Sequence, residues 1–168
     1  MVVNQGETVT VTLRNELAVP VSIVFPGQEN VVTTGGSLGL ITQEAAPGQA
    51  VTYSFVATRS GTFQYHSGTD PALQVEMGLV GALIVRPAGF DPATPRAYNH
   101  QGSAYSHETL FLLSEMDSRI HEVVETQGPS ALAGTDYLTN YFANYWFING
   151  RTAPDTMAAA GTPWLPSQ

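Results

Sequence analysis

His66 is the residue of this chain best placed to do chemistry. It ends a run in which Phe63 and Tyr65 alternate with Thr62 and Gln64, and Ser67, Gly68, Thr69, Asp70 and Pro71 come next with turn chemistry at each position. Met77 lies in the same segment. Imidazole is a borderline nitrogen donor and a thioether a soft, weak one, so His66 and Met77 are candidates for a local mononuclear metal site, while a methionine at 77 also reads simply as core filling. Two other readings of His66 stand beside that one. It is a histidine satisfied by a nearby carbonyl or carboxylate, or a ligand lent to a metal held mainly by another domain or subunit. His100, His107 and His121 occur at unequal gaps that match no zinc spacing and read as exposed polar residues. Glu108, Glu115 and Asp117 read as solvated carboxylates. Tyr141, Tyr145 and Trp146 offer either a ligand platform or a buried packing cluster between domains. No Gly-x-Ser-x-Gly occurs, and the glycine-rich Gly35 to Gly39 lacks the lysine of a phosphate loop.

Elements of strand type must hold these residues. Glu7 to Asn15 alternates strictly, with Val9, Val11 and Leu13 on one side and Thr8, Thr10 and Thr12 on the other. Val19 to Phe25 reads as a second strand with Pro20 at its entrance, and Asn30 to Thr34 as a short third. Val51, Tyr53 and Phe55 alternate with Thr52 and Ser54, and Leu79 to Val85 is the continuous apolar run of a buried strand. Pro and Gly turns separate these runs, the pattern of a β-sandwich with little helix. After Pro87 the composition changes to Pro87, Gly89, Pro92 and Pro95, which read as a linker. Thr109 to Ser114 then reads as a strand, Ser118 to Thr126 as a short helix or loop, and Phe147 to Arg151 as a strand running into a turn. The last twelve residues are rich in Ala, Gly and Pro and have no core of their own.

Composition removes several function classes. The 168 residues are 43% hydrophobic, enough for one cored domain plus an extension. Six arginines, no lysine and fourteen acidic residues give a net charge of −8, which repels nucleic acid and anionic membrane. Cysteine is absent, so disulfides, thiolate nucleophiles and the thiolate of a blue-copper centre are absent too. No run reaches the roughly 20 apolar residues that cross a bilayer. No signal peptide precedes Val2.

Gly61 to Pro87 resembles the end of a cupredoxin domain of the multicopper oxidase family. First domains of that family typically carry Tyr-His-Ser-His, then a Gln, then Gly-Leu-x-Gly-Ala/Pro-Leu-Ile-Val. The matching residues are Tyr65, His66, Ser67, Gln74, Gly78, Leu79, Gly81, Ala82, Leu83, Ile84 and Val85, with Gly68 in place of the second histidine. A further His-x-His-Gly element corresponds to Val24, Phe25, Pro26, Gly27 and Gln28, where no histidine stands. Together the two elements would give four imidazoles to a trinuclear copper cluster, and three of them are missing. The resemblance puts Met77 where many cupredoxins have their axial methionine, and His66 near their cysteine.

The resemblance implies an all-β chain. Residues 1–87 would form a cupredoxin-like Greek-key β-sandwich lacking its first strand, 88–107 a linker, and 108–168 the incomplete start of a second cupredoxin-like domain, with Ile148, Asn149 and Gly150 as its opening element. It implies a trimmed chain from a longer, periplasmic or secreted oxidoreductase that oxidises its substrate one electron at a time and reduces O2. Copper would belong to the full-length protein and not to this chain alone, which would act mainly as scaffold. Its partners would be the missing cupredoxin domains or other subunits, with homo-oligomerisation left open. The rival expectation is a non-catalytic cupredoxin-like module without metal.

Overall fold

The computed structural model describes residues 1–159 and 161–163; part of the Ala/Gly/Pro-rich tail (160 and 164–168) lies outside them. The chain divides into two compact units, Met1–Glu108 and residues 109–168.

Two three-stranded sheets build the first unit. One contains β2 (Thr8–Arg14), β3 (Val32–Gly35) and β6 (Ala50–Val56), with β6 central and both neighbours antiparallel to it. The other contains β1 (Val2–Asn4), β7 (Gly61–His66) and β8 (Val80–Arg86); β8 is central, parallel to β1 and antiparallel to β7. A small hairpin of β4 (Ser37–Leu38) and β5 (Gln43–Glu44) adds to the first unit.

The alternation sets the faces. Val9, Val11 and Leu13 lie opposite Phe55, Tyr53 and Val51, and all six turn inward. The threonines of β2 turn outward, where Thr12 and Thr52 hydroxyls meet at 3.0 Å. From the second sheet Leu83 and Val85 close the same core, with Phe25, Ala45 and Ala57 filling between. Phe25 packs on Tyr53, Phe55 and Tyr65 at ring separations of 5.8, 5.0 and 6.0 Å. Aromatic contacts of this kind add roughly 0.5–1.5 kcal/mol each beyond the area they bury. Tyr65 fits because its cross-strand partner is Gly81, where a Cβ would run into the phenol ring.

Val19 to Phe25 is not the regular strand its composition predicts. Val21 makes an isolated bridge to Ala45, and Val24 one to His66 at the free edge of β7. Between them the Ile23 N–H donates to the buried Tyr53 hydroxyl at 3.0 Å, and that hydroxyl donates to the Gln43 carbonyl at 2.6 Å. The segment crosses from the hairpin to the β7 edge. Its backbone groups are satisfied by several partners in turn, so no ladder propagates.

Segment 88–108 folds back on the sandwich. Asn99 Nδ2 donates to Gln5 Oε1 at 2.9 Å, and the Arg86 guanidinium donates to both the Tyr105 hydroxyl and the Glu108 carboxylate. Glu108 is thus an ion-pair partner, not a solvated carboxylate.

In the second unit β9 (Leu113–Met116) pairs antiparallel with β10 (Tyr145–Ile148), and α2 (Ser118–Gln127) comes after β9. The strand expected at Thr109 to Ser114 therefore lies further along. Asn149 explains the shift: its side chain accepts from the Leu112 N–H at 2.8 Å and donates to the Leu110 carbonyl at 2.9 Å, which takes those groups out of a ladder. Asp117, expected on a solvated face, is 1% exposed. It is the N-cap of α2, and its carboxylate accepts from the Arg119 and Phe142 N–H groups and from the Arg119 guanidinium.

Candidate metal centre

The β7 strand ends by delivering His66, half-buried, into the turn before the helix α1 (Pro71–Glu76). The turn chemistry of residues 67–71 predicts only a loop. Asp70 starts a helix there by capping residues 71–76: its carboxylate accepts from the Leu73 N–H at 3.3 Å, and Pro71 occupies the first turn, where no N–H is needed.

His66 Nδ1 lies 2.8 Å from the carbonyl oxygen of Ser67, so the neutral ring donates there and Nε2 is its remaining donor atom for a metal. Met77 is the C-cap of α1, its N–H bonded to the Leu73 carbonyl at 2.9 Å, and it is half-buried. Among the described residues no group of three or more His, Cys, Asp or Glu side chains comes together around a common point. His100 and His107 are exposed. His100 stacks on Tyr98 with ring centroids 6.2 Å apart, and His107 Nδ1 meets the Ser106 hydroxyl at 3.0 Å. His121 lies on α2 in the other unit.

The space around His66 is filled by other chemistry. Val24, from the histidine-free element, bridges its backbone to His66, with N–H···O distances of 2.8 and 3.2 Å. Gly68 is buried against the same residue: a Cβ there would stand 2.7 Å from Val24 Cγ1 and 3.1 Å from Ser22 Oγ. A histidine therefore has no room at 68 while Val24 and Ser22 keep their places.

Beside this lies a polar network whose members Ser67 and Gln74 belong to the sequence motif, although the motif does not show their bonding. The buried Ser67 hydroxyl donates to Gln74 Oε1 at 2.6 Å, and Gln74 Nε2 donates to the Pro20 carbonyl at 2.9 Å. Thr69 bonds through its N–H to Ser67 Oγ and through its hydroxyl to Glu44, and the Ser22 hydroxyl completes the chain to Thr69 at 2.9 Å. The network joins α1, the turn after β7, the crossing segment and β5. All but one member is neutral, and the buried groups find partners, as low-dielectric surroundings require. The donors present do not fit a blue-copper centre, which needs a thiolate, or a trinuclear cluster, which needs many imidazoles.

Among the described residues the aromatic block forms no buried cluster. Tyr141, Tyr145 and Trp146 are exposed, Trp146 by 64%. β9 and β10 form a two-stranded ribbon, and Leu113, Trp146 and Ile148 are exposed along it.

The family model described as multicopper oxidase matches residues 1–89. The chain belongs to the multicopper oxidase family. A copper-containing nitrite reductase of Cereibacter sphaeroides is 30% identical over 125 residues, which are 71% of this chain and 30% of that protein. Laccase abr2 of Aspergillus fumigatus is 31% identical over 129 residues, 70% of this chain and 21% of that protein. The chain thus spans less than a third of either relative. Among solved structures, a blue copper oxidase from Nitrosomonas europaea superposes with a TM-score of 0.64 at 22% identity, over 91% of this chain and 44% of that one. A likeness at that identity establishes the cupredoxin-like β-sandwich fold alone. No helix among the described residues is long and apolar enough to cross a membrane.

Proposed function

We propose that this chain is a cupredoxin scaffold of a multicopper oxidase-type oxidoreductase, and that the coppers of the working protein are held by cupredoxin domains other than this one. The whole protein would oxidise its substrate one electron at a time and pass the electrons to O2. Those domains are its partners, on the same polypeptide or on other subunits, in a periplasmic or secreted setting.

The observation that carries the reading is the surroundings of His66. It is the one imidazole of the two histidine elements: Val24 bridges to its backbone, and at Gly68, where the family has its second histidine, a side chain would meet Val24 and Ser22. The exposed Leu113, Trp146 and Ile148 support the need for partners. The test is copper content by elemental analysis after Cu(II) loading and desalting, on the wild type and on His66→Ala. Equal background copper in both is the expected result. Copper held by the wild type and lost in the variant would instead establish His66 as a copper ligand of this chain.

A further inference from the structure

The returning segment of the first unit frames a cavity of about 280 Å³, lined by Pro87, Phe90, Asp91, Thr94, Arg96 and Tyr98 among others. It lies apart from His66 in sequence and owes nothing to copper. The geometry points to a binding site for a small monocarboxylate, anchored by Arg96.

Four observations carry this. First, Arg96 is a charge without a counter-charge. Arg96 is exposed, and among the described residues its guanidinium makes no ion pair and no hydrogen bond; Arg14 on β2 is likewise unpaired but does not line this cavity, whereas Arg59, Arg86 and Arg119 are each paired with an acid. In a chain of net charge −8, an unmatched guanidinium at a cavity is a place where an anion gains. Its planar fork matches a carboxylate in bidentate fashion.

Second, the backbone fixes Arg96 independently of its side chain. Arg96 and Ala104 form an isolated bridge, and the Ala97 N–H bonds to the Ser103 carbonyl at 2.9 Å. Third, the mostly polar wall includes one aromatic ring that is held in place. The Arg86 guanidinium stacks over the Phe90 ring, 4.3 Å from its centroid, while its own charge is matched by Glu108.

Fourth, Asp91 sets the ligand's charge. Its two oxygens already accept from the Ala93 N–H at 2.8 Å and the Thr94 hydroxyl at 3.1 Å, so it stays in its own turn. From there it opposes a second negative charge, which favours a monoanion over a phosphate dianion.

The test is an NMR titration of the full chain with sodium benzoate, with benzamide as the uncharged isostere and inorganic phosphate as the dianionic probe. Benzoate is expected to give saturable shifts at amides of residues 87–99. Arg96→Gln should weaken its binding about tenfold, the size of one lost charge-assisted pair. Arg14→Gln, a change of equal charge on β2, should leave it unchanged. Benzamide and phosphate should bind more weakly than benzoate. The proposal is overturned if benzoate gives no saturable shifts, if Arg96→Gln binds it like wild type, or if benzamide or phosphate binds as tightly.

Discussion

Tyr53 joins two parts of the core through one oxygen. Its ring is fully buried, and its hydroxyl accepts from the Ile23 N–H while donating to the Gln43 carbonyl. Burial pushes the phenol's pKa up, which keeps that proton in place at any ordinary pH. Tyr53→Phe leaves a half-buried N–H and a carbonyl unpaired and should cost about 1–3 kcal/mol in urea denaturation. Ser67→Ala strands Gln74 Oε1 in a buried site and should cost a similar amount, about 1–2 kcal/mol. Neither role was legible in the sequence. Alternation marked Tyr53 as inward-facing, but the partner of a buried hydroxyl is set by segments 10 and 30 residues away. Asp117 is the sharper case: a lone acid before a helix looks solvated until Arg119 and Phe142 are seen to enclose it.

At the scale of elements, the strands with clean alternation were readable. β2, β6 and β7 fall where their alternation puts them, because one buried face imposes its register on the sequence, and β8 falls on the continuous apolar run read as a buried strand. Val19 to Phe25 has the same composition yet serves as a crossing, since its neighbours on either side belong to different pairings. The helix α1 is short, and its six residues are too few for a 3.6 period to register. Its cap is the test of it: Asp70→Ala should lower stability by about 1 kcal/mol, measured by thermal denaturation. The turn before it offers a second test. Gly68→His restores the family's histidine but forces it onto Val24 and Ser22. The expected result is a loss of about 1–3 kcal/mol with no gain in copper retention. Paired substitution with Val24→Ala should return part of that loss.

The whole molecule responds to acid through two carboxylates held below their ordinary values. Glu108 is lowered chiefly by its hydrogen bond from Arg86, then by that from Tyr105. Asp117 is lowered further, chiefly by the Arg119 guanidinium and against the cost of its burial. A depressed carboxyl contributes stability that is complete above its unfolded pKa and lost as pH falls through its folded one. The Glu108 contribution is therefore full at neutral pH and fades below its ordinary value of 4.5, while that of Asp117 survives into stronger acid. Melting temperatures measured from pH 7 downward should show Glu108→Gln converging on wild type in mild acid. Asp117→Asn should remain less stable than wild type to lower pH.

The crossing of Val19 to Phe25 governs how the first unit opens. Ile23 is held from the sheet of β6 and Val24 from the sheet of β7, with one peptide link between the two anchors. Neither sheet can peel away without pulling on the other. Amide protons of β6 and β8 should then exchange with deuterium at a common rate under native conditions, as one cooperative opening. Tyr53→Phe, which frees one anchor, should split that rate in two.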